Sequence, residues 1–273
     1  MMPIPERDAR KIRESLAEHD LAALTPRVVD LAEPCLRMRA RRRAVRVGGT
    51  KIGGHPDLPV NTAWPSCDGR PMTFLAQIDL AEVAAKMPSA LPSVGLLSFF
   101  FDRTDFHMGE EVCRVVHSTT ALERRVTPYD DRLVECELAL RLSTSVPEIT
   151  HWASAHDDLL GLGALSADQR DALLEWRANL DYVLLGDDDH ARHQVLGYPT
   201  GAQADVLIQR LVATGANAKD LAAARRHRNL MTIDSDETAD LDWADGGCLW
   251  YLVERDALVA GDFSHVDSIV ELG

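Results

Sequence analysis

Apolar and polar residues follow several distinct rhythms along this chain, and each rhythm predicts an element. Over residues 6–24, Ile12, Leu16 and Leu24 form one stripe among charged neighbours, which predicts an amphipathic N-terminal helix. Pro5 stands where a helix can begin, and Pro26 marks its end or a restart. "VGGTKIGGHPDLP" (47–59) is dense in glycine and proline and reads as loop. "DLAEVAAKMP" (79–88) reads as a short helix with Asp79 as cap, Glu82 three residues on and Pro88 as the stop. "GLLSFFFD" (95–102) is an unbroken apolar burst, the mark of a buried strand. Residues 111–118 and 133–143 alternate, as strands with one wet face do.

The character changes in the middle, where 148–185 reads as a helical insert. Its best helix is 166–185: Ser166 caps, and Ala172, Leu173, Trp176 and Leu180 share a face. Residues 186–203 read as loop, 204–213 and 219–227 as helices, and about 229–233, 247–253 and 266–271 as strands. No low-complexity linker divides the chain, so a single domain over 1–273 is expected.

Part of this pattern is written twice. "KIGGHP" (51–56) parallels "QVLGYP" (194–199), "LAQID" (75–79) parallels "LMTID" (230–234), and "VGLLSFFFDR" (94–103) parallels "GGCLWYLVER" (246–255). Three blocks in one order predict a β-unit used twice, over 51–106 and 194–258, with two apolar faces that bury each other.

Composition narrows the function classes. The 273 residues carry a formal net charge of −14, with 46% hydrophobic and 26% charged residues. Most of such a surface repels a polyanion, so nucleic acid is not an expected partner and a basic protein is. No apolar run is long enough to span a membrane, and the polar N-terminus lacks the apolar core of a secretory signal. Five widely spaced cysteines (Cys35, Cys67, Cys113, Cys136, Cys248) fit reduced thiols and a cytoplasmic location. P-loop, nucleophile-elbow, zinc-protease, calcium-loop and dinucleotide signatures are absent, and no cofactor or metal is expected.

Several of the same stretches resemble a known family. "KIGGHPDLP" with "WP" (Trp64, Pro65), "MTFLAQIDL", "GLLSFFF", "LGYPTGAQAD", "IDSDE", "WADGG" and "GDFSHV" are similar, in order, to the YwqG-like family, a bacterial domain family of unknown function. The resemblance covers roughly residues 25–273, with one departure at Ala244, where a Trp-Gly-Asp run is more usual. It implies an α+β fold, β-rich with substantial antiparallel sheet and internal duplication, and it implies no activity.

Candidate chemistry falls in three places. "DDDHARH" gathers Asp187, Asp188, Asp189, His190 and His193, but consecutive residues cannot all converge on one ion, so a solvated acidic turn is expected. "RMRARRRAVR" (37–46) holds six arginines in ten residues. Extended, it puts Arg37, Arg39, Arg41 and Arg43 on one face able to grip anions, although a solvated edge strand or loop is the plainer expectation. The family-like polar positions are Lys51, Asp57, Gln77, Asp79, Gln203, Asp205, Asp234, Asp236 and Asp245, at strand ends and in Gly-Pro loops. They are ligand-binding candidates, and a meeting of Asp79 with Asp234 would raise one pKa for acid–base work. The competing expectation is that these side chains bind backbone amides and fix turns. Trp64, Trp243 and Trp250 are expected in the core or at its rim. The expected function is a non-catalytic binding module for a basic protein or a small ligand, in one form an inhibitor or immunity-type protein. A hydrolase-like enzyme acting on a small or sugar-like substrate is the alternative.

Overall fold

The computed structural model describes residues 3–104, 111–130, 132–150, 154–186, 193–200, 204–217, 219–244 and 246–272. The strands among them are β1 (Glu33–Arg41), β2 (Lys51–Ile52), β3 (Asp57–Leu58), β4 (Ser66–Cys67), β5 (Arg70–Pro71), β6 (Thr73–Asp79), β7 (Leu96–Phe101), β8 (Cys113–Ser118), β9 (Glu123–Arg124), β10 (Cys136–Ser145), β11 (His193–Val195), β12 (His227–Asp234), β13 (Cys248–Glu254) and β14 (Val266–Glu271). The helices are α1 (Glu6–Glu18), α2 (Thr25–Leu31), α3 (Leu80–Lys86), α4 (Asp157–Leu160), α5 (Ala167–Leu185), α6 (Val206–Ala213), α7 (Leu221–Ala224) and α8 (Arg255–Ala260). The fold is α+β with a β-rich core. Ten strands make one antiparallel sheet in the order β14-β13-β12-β11-β1-β10-β2-β6-β7-β8.

Residues 42–46 of the arginine-rich run are loop, as expected, but residues 37–41 lie in a central strand and not at an edge. The strand is β1, paired along its whole length with β10, from Glu33↔Ser145 to Arg41↔Glu137, and on its other side with β11. The reason is its second face. Leu36, Met38 and Ala40 alternate with the arginines and enter the main core, so the strand has one dry face and one charged face. Other boundaries shift for local reasons. The 6–24 helix stops at Glu18, turns through Asp20 in the left-handed region (φ 59°), and restarts with Pro26 in the first turn of α2. The loops expected at 47–59 and 186–203 contain β2, β3 and β11, whose two or three residues are too few to show a period. The helix expected over 219–227 ends at Ala224, and His227 already opens β12.

The central β1–β10 pair divides the sheet into two halves with matching details. Each carries a bulge at the same leucine, between Phe74 and Ala76 in β6 and between Asn229 and Met231 in β12. Each preceding turn holds two left-handed residues, Gly53 and Gly54 (φ 69° both) or Leu196 and Gly197 (φ 60° and 72°). Each long apolar strand follows a glycine that lets the neighbouring strand end against it. A Cβ on Gly95 would lie 2.9 Å from the Ser118 carbonyl oxygen, and one on Gly247 2.0 Å from that of Glu271.

The sheet curls until its two edges lie together, with Cys113 Sγ donating to the Val266 carbonyl at 3.0 Å. Inside, Phe99 meets Tyr251 edge-on at 5.1 Å and Phe101 meets Trp243 at 5.7 Å. Three covers lie outside. Leu58, Met72, Phe74 and Phe100, with Trp64 against them, cover the first half beneath the β3–β9 and β4–β5 ribbons. α6 and α7 pack on Cys248, Trp250, Leu252 and Ile269 of the second half. Over the centre, α1, α2 and α5 form a separate helical core around Trp176. Ser166 and Gln169 close a capping box on α5, and Asp181 of that helix takes the buried Arg37 guanidinium at 2.7 Å.

Candidate functional site

Three of the predicted site residues come together. β2 sets Lys51 opposite Gln77 of β6, and the turn after it returns Asp57 to the same point; all three are fully buried. Lys51 Nζ donates to the His55 carbonyl (2.5 Å) and Glu135 Oε2 (3.0 Å), and lies 3.9 Å from Asp57 Oδ2. Asp57 accepts from Gly48 N (2.9 Å), Gln77 Nε2 (2.7 Å) and Arg124 Nε (3.0 Å). Gln77 Oε1 accepts from Asp57 N (2.9 Å), and its Nε2 also reaches the Gly49 carbonyl (2.8 Å). Two cations and two anions balance. Burial pulls the Lys51 ammonium below its usual pKa, against the pull of Glu135 and Asp57. Burial alone would raise Asp57, but hydrogen bonds from Arg124, Gln77 and Gly48 hold it below the usual carboxylate range. The cluster fastens four loops at one point.

The other candidates work locally. Asp79 caps α3 through Ala81 N (3.0 Å) and takes Arg46 Nη2 at 2.8 Å. Asp205, 2% exposed, caps α6 through Leu207 N and Ile208 N and accepts from Ser154 Oγ and Ala155 N, both at 2.9 Å. Burial pushes its carboxyl above the usual range despite those bonds. Asp234 accepts from Ser235 N (2.8 Å). Gln203, Asp245 and residues 187–192 of the acidic run lie outside the described residues.

His193 links Asp234 to Asp236. Its Nδ1 accepts from the Asp234 N–H (3.2 Å), so the ring proton sits on Nε2 and is donated to Asp236 Oδ2 at 3.1 Å. Both ring nitrogens are thereby occupied. Asp236 also accepts from Thr238 N (2.7 Å) and Ala239 N (3.3 Å). Burial opposes its ionisation, but the bonds from His193 and Thr238 prevail and hold its pKa at about 2. A carboxylate so held is a poor general base at neutral pH.

Asp236 opens onto a cleft of about 1200 Å³. Its floor is β1 at Arg39, Ala40 and Arg41, and its wall is Ser235–Asp242 with Gly246. The wall is a tight hairpin closed by Asp236 N to Leu241 O (2.8 Å) and Leu241 N to Asp236 O (3.1 Å), with Asp240 left-handed (φ 57°). Arg42 Nε and Cys136 Sγ both donate to the Thr238 carbonyl, and Val134 N donates to that of Ala239. The wall is thus pinned to the ends of β1 and β10. Glu237, Asp240 and Asp242 are exposed along it, and Arg39 and Arg41 are exposed on the floor. Among the described residues, the side chains of Arg41, Glu237 and Asp240 have no hydrogen-bond or ion-pair partner. No group of three or more His, Cys, Asp or Glu is placed to hold a metal among the described residues, and no helix there is long and apolar enough to cross a membrane. All five cysteines are free.

A family model described as a domain of unknown function (DUF1963) matches residues 50–271. The chain belongs to this family. No curated protein matches it. In this DUF1963 chain the charged cluster, the capping aspartates and the cleft wall all lie inside the matched span. Arg39 and Arg41 of the floor precede it. Ala244, the departure noted above, is left-handed (φ 54°), a conformation that favours glycine.

Sequence reasoning passed over Arg124 and Glu135, which stand 67 positions from Asp57 and 84 from Lys51. No local pattern carries such a pairing. Glu237, Asp240 and Asp242 were available signals: their acids fall at intervals of two and three between a strand-ending Asp and the turn before β13.

Proposed function

We propose that this protein is a non-catalytic binding protein that holds a basic partner in the cleft between β1 and the Ser235–Asp242 wall. One observation carries the reading. The predicted acids Asp57, Asp79, Asp205 and Asp236 are engaged in holding loops and helix ends. Unpartnered charge instead collects in an open cleft whose wall is acidic. The net charge of −14 would draw a basic protein to that wall. An inhibitor or immunity-type protein of the bacterial cytoplasm and of the YwqG-like family, acting on a basic toxin or nuclease, is the specific form. The same bonding leaves the hydrolase-like alternative without a free acid–base pair among these four residues. The reading also takes the two sheet halves as one unit used twice, supported by their matching bulges, turns and strand-opening glycines.

The test is affinity capture from extracts of the native host at low salt. Wild-type protein is expected to recover a protein of high pI, which is lost at raised salt and with the triple variant Glu237→Gln, Asp240→Asn, Asp242→Asn. Recovery of no basic protein, or undiminished recovery by the triple variant, overturns the proposal.

A further inference from the structure

The cleft's charges are sorted by surface. Arg39 and Arg41 stand two residues apart on one strand face, so their stems rise about 7 Å apart from the floor. Glu237, Asp240 and Asp242 stand on the wall. Opposite charges lining one space normally collapse onto each other, yet Arg41, Glu237 and Asp240 do not. The reason is rigidity. The wall is a closed hairpin tied by Arg42, Cys136 and Val134, and the floor residues Arg39–Arg41 are held in register by β10. The gap therefore persists, with one sign on each side.

We infer that the cleft takes a dipolar polypeptide segment, one that carries a carboxylate beside its basic residues. This rests on the binding reading above and deepens it. The basic side chains face Glu237, Asp240 and Asp242, while the neighbouring carboxylate seats on the guanidinium of Arg41, whose planar fork matches two carboxylate oxygens. A purely cationic segment satisfies the wall but faces uncompensated positive charge on the floor. A purely anionic one meets the reverse. The arginine floor thus acts as a selectivity element within an acidic site.

The experiment uses the whole protein and three end-blocked hexapeptides in calorimetry at low salt: hexa-arginine, hexa-glutamate and alternating Arg-Glu. The alternating peptide is expected to bind about tenfold more tightly than hexa-arginine, the yield of one good charge-assisted fork. Arg41→Gln is expected to bring the two within about twofold of each other by weakening the alternating peptide and relieving the repulsion of hexa-arginine, and Arg41→Lys to restore part of the difference. Arg41 is exposed, so an unchanged melting temperature checks that both variants fold. Equal binding of hexa-arginine and the alternating peptide by the wild type overturns the dipolar inference and leaves the basic-partner reading standing. Tightest binding of hexa-glutamate, or no binding of any peptide, overturns both.

Discussion

The two halves of the sheet perform the same tasks with different chemistry. Lys51 in the first half and Gln194 in the second hold the same place, both fully buried, and each donates to the carbonyl four residues on, His55 at 2.5 Å and Tyr198 at 2.7 Å. Thr50 and His193 likewise both accept from the backbone N–H of the strand-ending aspartate, Asp79 or Asp234. A neutral amide therefore serves this turn as well as an ammonium does. The turn does not explain the charge on Lys51, but the cover over its half does. The second half lies under α6 and α7, whose apolar faces bury Trp250 and Leu252. The first lies under two-residue ribbons and loops with a small apolar cluster, and there Lys51, Asp57, Arg124 and Glu135 tie the loops down. A charged network does for a loop cover what helix packing does for a helical one.

The sharpest way to break this comparison is to remove what joins the halves. β1 lies between β10 and β11, yet precedes the family match. A fragment of residues 50–271 is expected to lose cooperative thermal unfolding, forfeiting the full stability of a domain, about 5–15 kcal/mol. A sharp calorimetric transition in that fragment would show that the halves close without β1. Next comes the charge itself. Asp57→Ala leaves Lys51 and Arg124 to share the single carboxylate of Glu135 and is expected to cost about 3–5 kcal/mol in urea unfolding, whereas Thr200→Ala at the matching place should cost about 1 kcal/mol. Equal costs would end the distinction between charged and neutral fastening. A smaller effect than that of Asp57→Ala is acid sensitivity in the second half. Asp236 has a folded pKa of about 2 against an ordinary 3.8. Its contribution is thus fully present above pH 4 and is lost as the pH falls through 2, amounting to about 2 kcal/mol. Asp236→Asn should flatten the stability profile by that amount over this window, and an unchanged slope would mean that His193 and Thr238 do not favour the charged form.

What could be read from the sequence was what is local. α5 shows its cap, its capping box and its apolar face within twenty residues, and β7 announces itself with one unbroken burst. β1 concealed its role because the six arginines of residues 37–46, three of them in the strand, drew attention from Leu36, Met38 and Ala40, which place it in the core. Of the candidate site, the trio Lys51, Asp57 and Gln77 was legible as polar positions at turns, but not as a single cluster. That depended on the β2–β6 pairing and on Arg124 and Glu135 arriving from afar. The cleft was least legible, since its floor and wall are about two hundred positions apart and meet only because the short β11 alone separates β12 from β1 in the sheet.

β1 is made early and completed late. Its partner β10 begins at Cys136, 95 positions after Arg41 (136 − 41), and β11 later still at His193. At about 5–20 residues per second, the ribosome leaves this strand without a neighbour for roughly 5–20 s. Throughout that wait Leu36, Met38 and Ala40 are a bare apolar ribbon, the kind of segment that pairs with the wrong chain. Arginines at 37, 39 and 41 interrupt it at every second residue, giving the waiting strand a net positive charge that keeps copies of itself apart. The arginines that later floor a cleft thus serve first as a guard on the nascent chain.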